Sequence, residues 1–428
     1  MFEGLVGVPA DADEAVLVAR IAELETVKAQ AAAEQARLTV AFAAARRARE
    51  EAAGMAKSRR GRGIGSEVAL ARKESPNQGG RHLGFAQALV FEMPHTLAAL
   101  ATGVLTEWRA TLIVRESACL TVEDRRVLDA ELCGAPDALA GLGDARIAAE
   151  AKKIAYRLDP YAVVERARKA EAERYVTIRP APDTMTYVSA LLPMPQGVSV
   201  YAALTRAADT TCDGRSRGQV MADTLVERVT GRAAGAATPI AVNLGISDET
   251  LLGGNEAAVV DGYGPIPAGI ARDLVKAALD DAQSRATLRR LYVKPATGAL
   301  VAMESKARIF PKALAKFIGI RDQRCRTPYC DAPIRHTDHA TPASTNGKTS
   351  ALNGDGLCEA CNYAKQAAGW QVHTCVNESG SHTAEVTTPT GAVYQSTAPP
   401  QPKPMVITIS EIEAATGMWV ARHISVAA

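Results

Sequence analysis

Aromatic side chains are scarce: Phe, Tyr and Trp make up 4% of the sequence. With Ala and Arg abundant instead, long helices are favoured over an all-β fold. A strong charge of one sign is also missing. The formal charge is +2, so the chain is no polycation, and a nucleic-acid surface must arise from local clustering. No run of about 18 apolar residues occurs, which argues against a membrane-spanning helix. The opening MFEGLVGVPADADEAV has no basic n-region and turns acidic at once, so no secretory leader is expected. Eight cysteines are too few for a disulfide framework in 428 residues, and Cys119, Cys133, Cys212 and Cys375 are scattered. That usage fits a reducing cytoplasm, and a cytoplasmic location is expected. There is no phosphate loop, dinucleotide fingerprint or Ser-His-Asp arrangement.

What is present is a pair of cysteine pairs, Cys325-x4-Cys330 and Cys358-x2-Cys361. Thiolates bind zinc tetrahedrally, and each short pair can supply one edge of the tetrahedron. The spacing predicts a structural four-cysteine zinc site, pinning a hairpin to a helix start where the apolar core is thin. Four thiolates leave no open coordination position, so this zinc is not expected to be the catalyst.

Between and beside the pairs stand Asp338-His339, Asn353 and Asn362. Phosphodiester hydrolysis needs an activated water and a cation on the phosphate and its leaving oxygen. His339 can take a proton from water near neutral pH. Asp338 and Asn362 offer oxygen ligands suited to Mg2+ or Mn2+. Asn353 can hydrogen-bond across the loop and fix the orientation of His339. Each has a plainer reading: Asp338 as an ion-pair partner of Arg335, Asn353-Gly354 as a turn, Asn362 as a helix cap. Their placement together in one zinc frame favours the chemical reading.

Elsewhere the patterns are mainly helical. Residues 11–57 read as one long helix with a heptad-like seam of Leu17, Ile21, Leu24, Ala31, Leu38 and Phe42. A hairpin helix packed on its own domain is favoured over a dimeric coiled coil, and a homodimer through this helical region stays open. Pro94 opens a helix running through Trp108; others span 144–158 and 160–174. Strands are expected at 184–192 and 239–246, with helices near 198–208 and 217–229 between them, and a hairpin about 295–298. Two more strands, 371–376 and 382–387, follow Trp370, and a Pro-rich tail with a short helix near 410–416 ends the chain.

The stretch from Cys325 to Trp370 resembles the HNH endonuclease motif, a strand–strand–helix element built around metal. Asp338-His339 matches the first motif position, Asn353 the central asparagine and Asn362 the last. The resemblance implies His339 as general base and Asp338 and Asn362 as ligands of the catalytic ion. The segment Leu357-Cys-Glu-Ala-Cys-Asn-Tyr-Ala-Lys365 with Gly369-Trp370 is close to the zinc-containing branch. Many relatives carry His where this chain has Asn362, and the loop Thr345-Asn-Gly-Lys-Thr-Ser350 has one Gly where several are usual. Upstream, Met93-Pro-His-Thr-Leu97, Glu107-Trp-Arg109, Gly218-Gln-Val-Met-Ala-Asp223 and Gly262-Tyr-Gly-Pro-Ile-Pro267 resemble the large N-terminal domain of unknown function fused to HNH nucleases in actinobacteria, the thirteen-E-twelve repeat family.

The expected architecture is therefore α+β: a mostly helical domain with a small sheet over 11–303, a zinc-stabilised ββα-metal nuclease domain over 304–372, and a β-hairpin with a Pro-rich tail over 373–428. Arg321, Arg324, Arg326, Arg335, Lys348 and Lys365 are the expected phosphate contacts to DNA. The expected function is metal-dependent DNA cleavage to 5′-phosphate and 3′-hydroxyl ends. The alternative is a non-catalytic zinc-containing DNA-binding or assembly protein.

Overall fold

The computed structural model describes residues 13–135, 138–234, 244–251, 253–260, 263–280, 304–305 and 309–401. The 39-residue helix α1 (Glu14–Ala52) comes first. Asp13 starts it, its carboxylate accepting from the Val16 amide at 2.8 Å and so satisfying one of the orphan donors of the first turn. Its buried stripe is not the seam expected from the sequence. Ala29, Ala32, Ala33, Ala36, Val40 and Ala43 are buried, whereas Ile21 is 67% and Leu38 61% exposed. The alanines recur at three- and four-residue spacing, and small side chains there let neighbouring helices come close. A heptad reading follows the large residues and so picks the wrong face.

The helices α2 (Ile64–Arg72), α3 (Pro76–Phe91), α4 (Pro94–Thr102), α5 (Glu107–Glu116), α6 (Val122–Cys133), α7 (Asp144–Leu158) and α8 (Pro160–Ala172) follow. α2 and α3 meet so closely that a Cβ at Gly79 would stand 1.9 Å from the Gly65 carbonyl oxygen, so only glycine fits. The helix expected to run from Pro94 through Trp108 is two helices. Gly103, at φ 83°, ends the first, and the Thr106 hydroxyl caps the second by accepting from the Arg109 amide at 3.3 Å. Phe85, Leu89, Leu100, Leu105, Ile113, Leu128 and Ile147 are among the core that these helices share.

Two of the stretches that carried the family resemblance are joints of this body. Asp129 of α6 is fully buried and caps α4 from outside. It accepts from the His95 amide (2.7 Å), the Thr96 amide (2.8 Å) and the Thr96 hydroxyl (2.6 Å). In the second, Trp108 Nε1 and Arg109 Nε donate to Asp144 at 3.1 and 3.0 Å, tying α5 to the start of α7.

Next come the antiparallel hairpin β1 (Tyr175–Pro180) and β2 (Thr186–Leu191), then α9 (Met194–Thr210) and α10 (Arg217–Thr230). Ser216 and Gln219 form a capping box that opens α10. A small antiparallel sheet is made by β3 (Leu244–Gly245), β4 (Ala258–Val260) and β5 (Gly264–Ile266), with α11 (Asp248–Leu251) and α12 (Ala268–Asp280). Of the strand expected at 239–246, β3 is the described part. The hairpin expected about 295–298 lies outside the described residues, as does the helix near 410–416.

The C-terminal part contains β6 (Glu304–Ser305), α13 (Lys312–Asp322), β7 (His336–His339), β8 (Thr349–Ser350), β9 (Gly354–Leu357), α14 (Glu359–Lys365), β10 (Gln371–Val376), β11 (His382–Thr387) and β12 (Val393–Thr397). β7 pairs with β9 and β6 with β8, all antiparallel. The expected C-terminal hairpin is a three-stranded meander, β10–β11–β12. The tight turn closed by the Thr388 amide on the Ala392 carbonyl (2.9 Å) returns the chain as a third strand. This sheet docks on the helical body through a buried pair. Arg46 and Glu67 meet at 2.6 Å, and Glu67 also accepts from the Thr390 amide (3.2 Å) and hydroxyl. The architecture is thus mixed, a mostly helical N-terminal region followed by small sheets. No helix among the described residues is long and apolar enough to cross a membrane.

Candidate metal centre and the adjoining polar site

Cys325 and Cys330 flank a tight turn after α13, in which Tyr329 takes the left-handed φ of 62°. Cys358 is the N-cap residue of α14 and Cys361 lies in its first turn. Hydrogen bonds from the Arg326 amide to the Gly356 carbonyl (2.9 Å) and from the Arg335 amide to the Leu357 carbonyl (2.8 Å) lock that turn to β9. All four thiols are buried, and their sulfur atoms lie within 4.8 Å of one another. Cys330 Sγ and Cys358 Sγ are 3.7 Å apart. Zinc–sulfur bonds of about 2.3 Å in a tetrahedron give sulfur–sulfur edges of about 3.8 Å. The cluster can therefore hold a zinc ion.

The electrostatics ask for one. Hydrogen bonding from Cys325, Cys330 and Cys361 drives the Cys358 thiol far below its ordinary range. Hydrogen bonding with Cys325, then Cys358, drives Cys330 far above its range, and hydrogen bonding with Cys325, Cys330 and Cys358 does the same to Cys361. Four thiolates this close repel unless a divalent ion neutralises them. Apolar support is slight: Leu357 and the four cysteines, with Ala332 against them, make up the local cluster.

The second cluster joins β7 to α14. His339 is 8% exposed, and its ring packs against Phe310 at a centroid distance of 4.5 Å. Its Nε2 is 2.9 Å from Thr349 Oγ1. Burial lowers its pKa below the ordinary histidine value; Lys365 adds to this and Asp338 opposes it. The ring is therefore neutral at pH 7. The partner of Asp338 is Lys365, 2.7 Å from Oδ2; Arg335, the partner considered from the sequence, is exposed. Lys365 Nζ also donates to the His339 carbonyl.

Asn353 spans the intervening loop. Its Oδ1 accepts from the Thr341 amide at 2.8 Å, and its Nδ2 donates to the Thr341 and Lys348 carbonyls at 3.0 and 2.8 Å. It reaches His339 only indirectly, by fixing the loop that carries Thr349. Asn362 is not the cap of α14, since Cys358 is. It is buried inside the helix, and its Oδ1 has no hydrogen-bond partner among the described residues. It lies one turn before Lys365 on the same helix face. A buried amide oxygen without a partner, on a helix packed against the strand of Asp338, fits a hard divalent cation.

The expected phosphate contacts divide. Arg335 and Lys348 are exposed, and Arg324 is partly so. Arg321 and Arg326 are 7% and 3% exposed, so they are not in reach of a phosphate. Both surround buried Asp322. Arg321 binds both of its oxygens at 2.7 and 2.9 Å, and Arg326 Nε stands 3.5 Å from Oδ1. Arg321 also donates to the Gly354 carbonyl (2.6 Å), and Arg326 to Ser396 Oγ (3.0 Å). Asp322 in turn accepts from the Gly356 amide at 2.8 Å. Buried charges need pairing of this kind; Arg326 Nε, at 3.5 Å from Asp322, makes the ion pair without a hydrogen bond. From Lys306 to Arg326 the sequence carries seven bases and Asp322 as its lone acid, a signal that those bases have an internal partner. Asp355, opposite Asp338 across the strand pair, is also buried. Burial, then the Asp322 carboxylate, pushes its pKa up to about 6.

A family profile described as a domain of unknown function (DUF222) matches residues 18–322, ending with α13 and before the first zinc-spaced cysteine. No curated protein and no solved structure matches the chain. That match takes in well over half of the residues, and the chain belongs to the DUF222 family.

Proposed function

We propose that this protein is a metal-dependent HNH endonuclease that hydrolyses DNA phosphodiester bonds to 5′-phosphate and 3′-hydroxyl ends. One observation carries the reading: a buried, neutral His339 next to Asp338, on a strand packed against a helix whose Asn362 oxygen is buried and unpartnered among the described residues. The hairpin of β7 and β9 followed by α14, closed by four cysteines, supports it further. Zinc at those cysteines is structural, because four thiolates fill a tetrahedral shell.

In this reading His339 is the general base. With its proton on Nε2 and donated to Thr349 Oγ1, Nδ1 keeps the lone pair that accepts a proton from the attacking water. Phe310 and Thr349 together restrict the ring, so the lone pair keeps one direction. Asp338 and Asn362 would hold Mg2+ or Mn2+, which when bound supplies Lewis-acid stabilisation to the phosphate and its leaving oxygen. Asn353 braces the loop. Arg335, Lys348 and Arg324 meet backbone phosphates and fix position rather than read bases.

The second reading, a non-catalytic zinc-containing DNA-binding or assembly module, has its own support: Asn362 is uncharged and Asp338 already has Lys365 as partner. Nicking of supercoiled plasmid with Mg2+ or Mn2+ separates the two. Nicking lost in His339→Ala and in chelator supports the nuclease. A zinc-loaded His339→Ala protein that nicks as fast as wild type sinks it.

A further inference from the structure

The sequence makes Lys365 one more basic residue for the DNA backbone, but it turns inward. Its ammonium is 2.7 Å from Asp338 Oδ2. It also donates to the His339 carbonyl, so two acceptors from the two adjacent residues of β7 hold it. Its side chain is 11% exposed and that of Asp338 33%, so water screens the pair only in part. We infer that the Lys365 ammonium occupies the position at Asp338 that a divalent cation must take or share, and that Lys365 thereby sets the affinity of this site for Mg2+ or Mn2+. The inference rests on the metal-site reading of Asp338 and Asn362 above.

The physical argument is one of charge and place. A hard divalent ion seeks an anionic oxygen, and the one carboxylate assigned to it is already neutralised. Asn362, the other proposed ligand, is neutral and brings no charge to outweigh the ammonium. Lys365 follows Asn362 by one turn of α14, so the competing cation and a ligand are carried on one helix face. Lysine suits such an exchange better than arginine: it is a point charge on a flexible stem. A second acceptor is close by. Asp355 stands across the strand pair from Asp338, and its Oδ1 is buried without a hydrogen-bond partner among the described residues. An ammonium leaving Asp338 can turn toward it.

The test is Mn2+ binding followed by electron paramagnetic resonance, on zinc-loaded full-length protein without DNA. Wild type is compared with Lys365→Met, Lys365→Gln and Asp338→Asn. The charge-removing Lys365 variants should bind Mn2+ about fivefold tighter or more, the effect of removing one partly screened like charge beside the ion. Asp338→Asn should abolish that binding. A merely structural lysine would give the opposite sign, because its loss would loosen the site and weaken binding. Lys365→Gln keeps a donor for the His339 carbonyl and carries the test if Lys365→Met fails to fold. Mn2+ affinity unchanged or weaker in Lys365→Gln overturns the inference while leaving the metal site standing. No Asp338-dependent Mn2+ binding in any of the proteins overturns the metal-site reading, and the inference with it.

Discussion

Substituting one zinc-spaced cysteine, Cys361→Ser, should unfold one part of this protein and leave the rest intact. Around the thiols themselves little else holds the chain: the buried apolar cluster there is Leu357 and the cysteines, while Leu314, Ile318 and Ala351 pack as a separate cluster. Fully burying one leucine is worth about 1.5–3 kcal/mol, whereas structural zinc in small zinc modules contributes about 10–16 kcal/mol. Metal binding therefore dominates the local balance by several-fold. The helical body does not depend on it, since Phe85, Leu89, Leu100, Ile113, Leu128 and Ile147 pack in a separate core. Hydrogen exchange is the assay. In Cys361→Ser, or in wild type stripped by a strong chelator, amides of β7, β9 and α14 should lose protection, while α3 to α7 keep theirs. A zinc-free protein with unchanged protection across 325–365 would refute the reasoning.

Four further outcomes are expected. His339→Ala should lower plasmid nicking by about 10²-fold or more, the usual contribution of a general base, without altering zinc content. Asp129→Ala should lower stability by about 3 kcal/mol in denaturant unfolding, because it strands two amides and a hydroxyl at the start of α4. Arg335→Ala and Lys348→Ala should each reduce the salt dependence of DNA binding by about one unit of slope, with the loss uniform across sequences. Acidification should act with opposite signs on two buried groups. His382, its pKa pushed down to about 4 by burial and Arg321, contributes stability that is lost as pH falls from 6.5 toward 4, because only the unfolded chain takes the proton there. Asp355, raised to about 6, costs about 2–3 kcal/mol at pH 7, and acidification relieves that cost. Asp355→Asn should thus be more stable than wild type at pH 7, with the gain vanishing by about pH 4; a gain independent of pH would refute the assignment.

Some elements were legible because the signal was local. Asp144–Leu158 lies where the helical pattern sets it, and Arg217–Thr230 where pattern and capping box set it. Strands Gln371–Val376 and His382–Thr387 follow simple alternation. The break between α4 and α5 was local as well, at Gly103, but the apolar pattern on both sides hid it. The cysteine frame was legible for a related reason. Each pair closes a short loop, so the chain itself guarantees two edges of the tetrahedron, and the pairing of β7 with β9 brings the edges together.

What the sequence alone determined, then, is where the short-range elements begin and which residues stand close along the chain: the two Cys pairs, the Asp338-His339 step and the caps of α1, α5 and α10. Only the tertiary structure decided which face of α1 is buried, that Arg321 and Arg326 serve a buried carboxylate, and that Lys365 turns to Asp338. The physical reason is range. Spacing and caps act over a few residues and can be read from the chain. Whether a charge faces water or another charge depends on which distant segment packs over it, and a basic residue looks the same in sequence in either place.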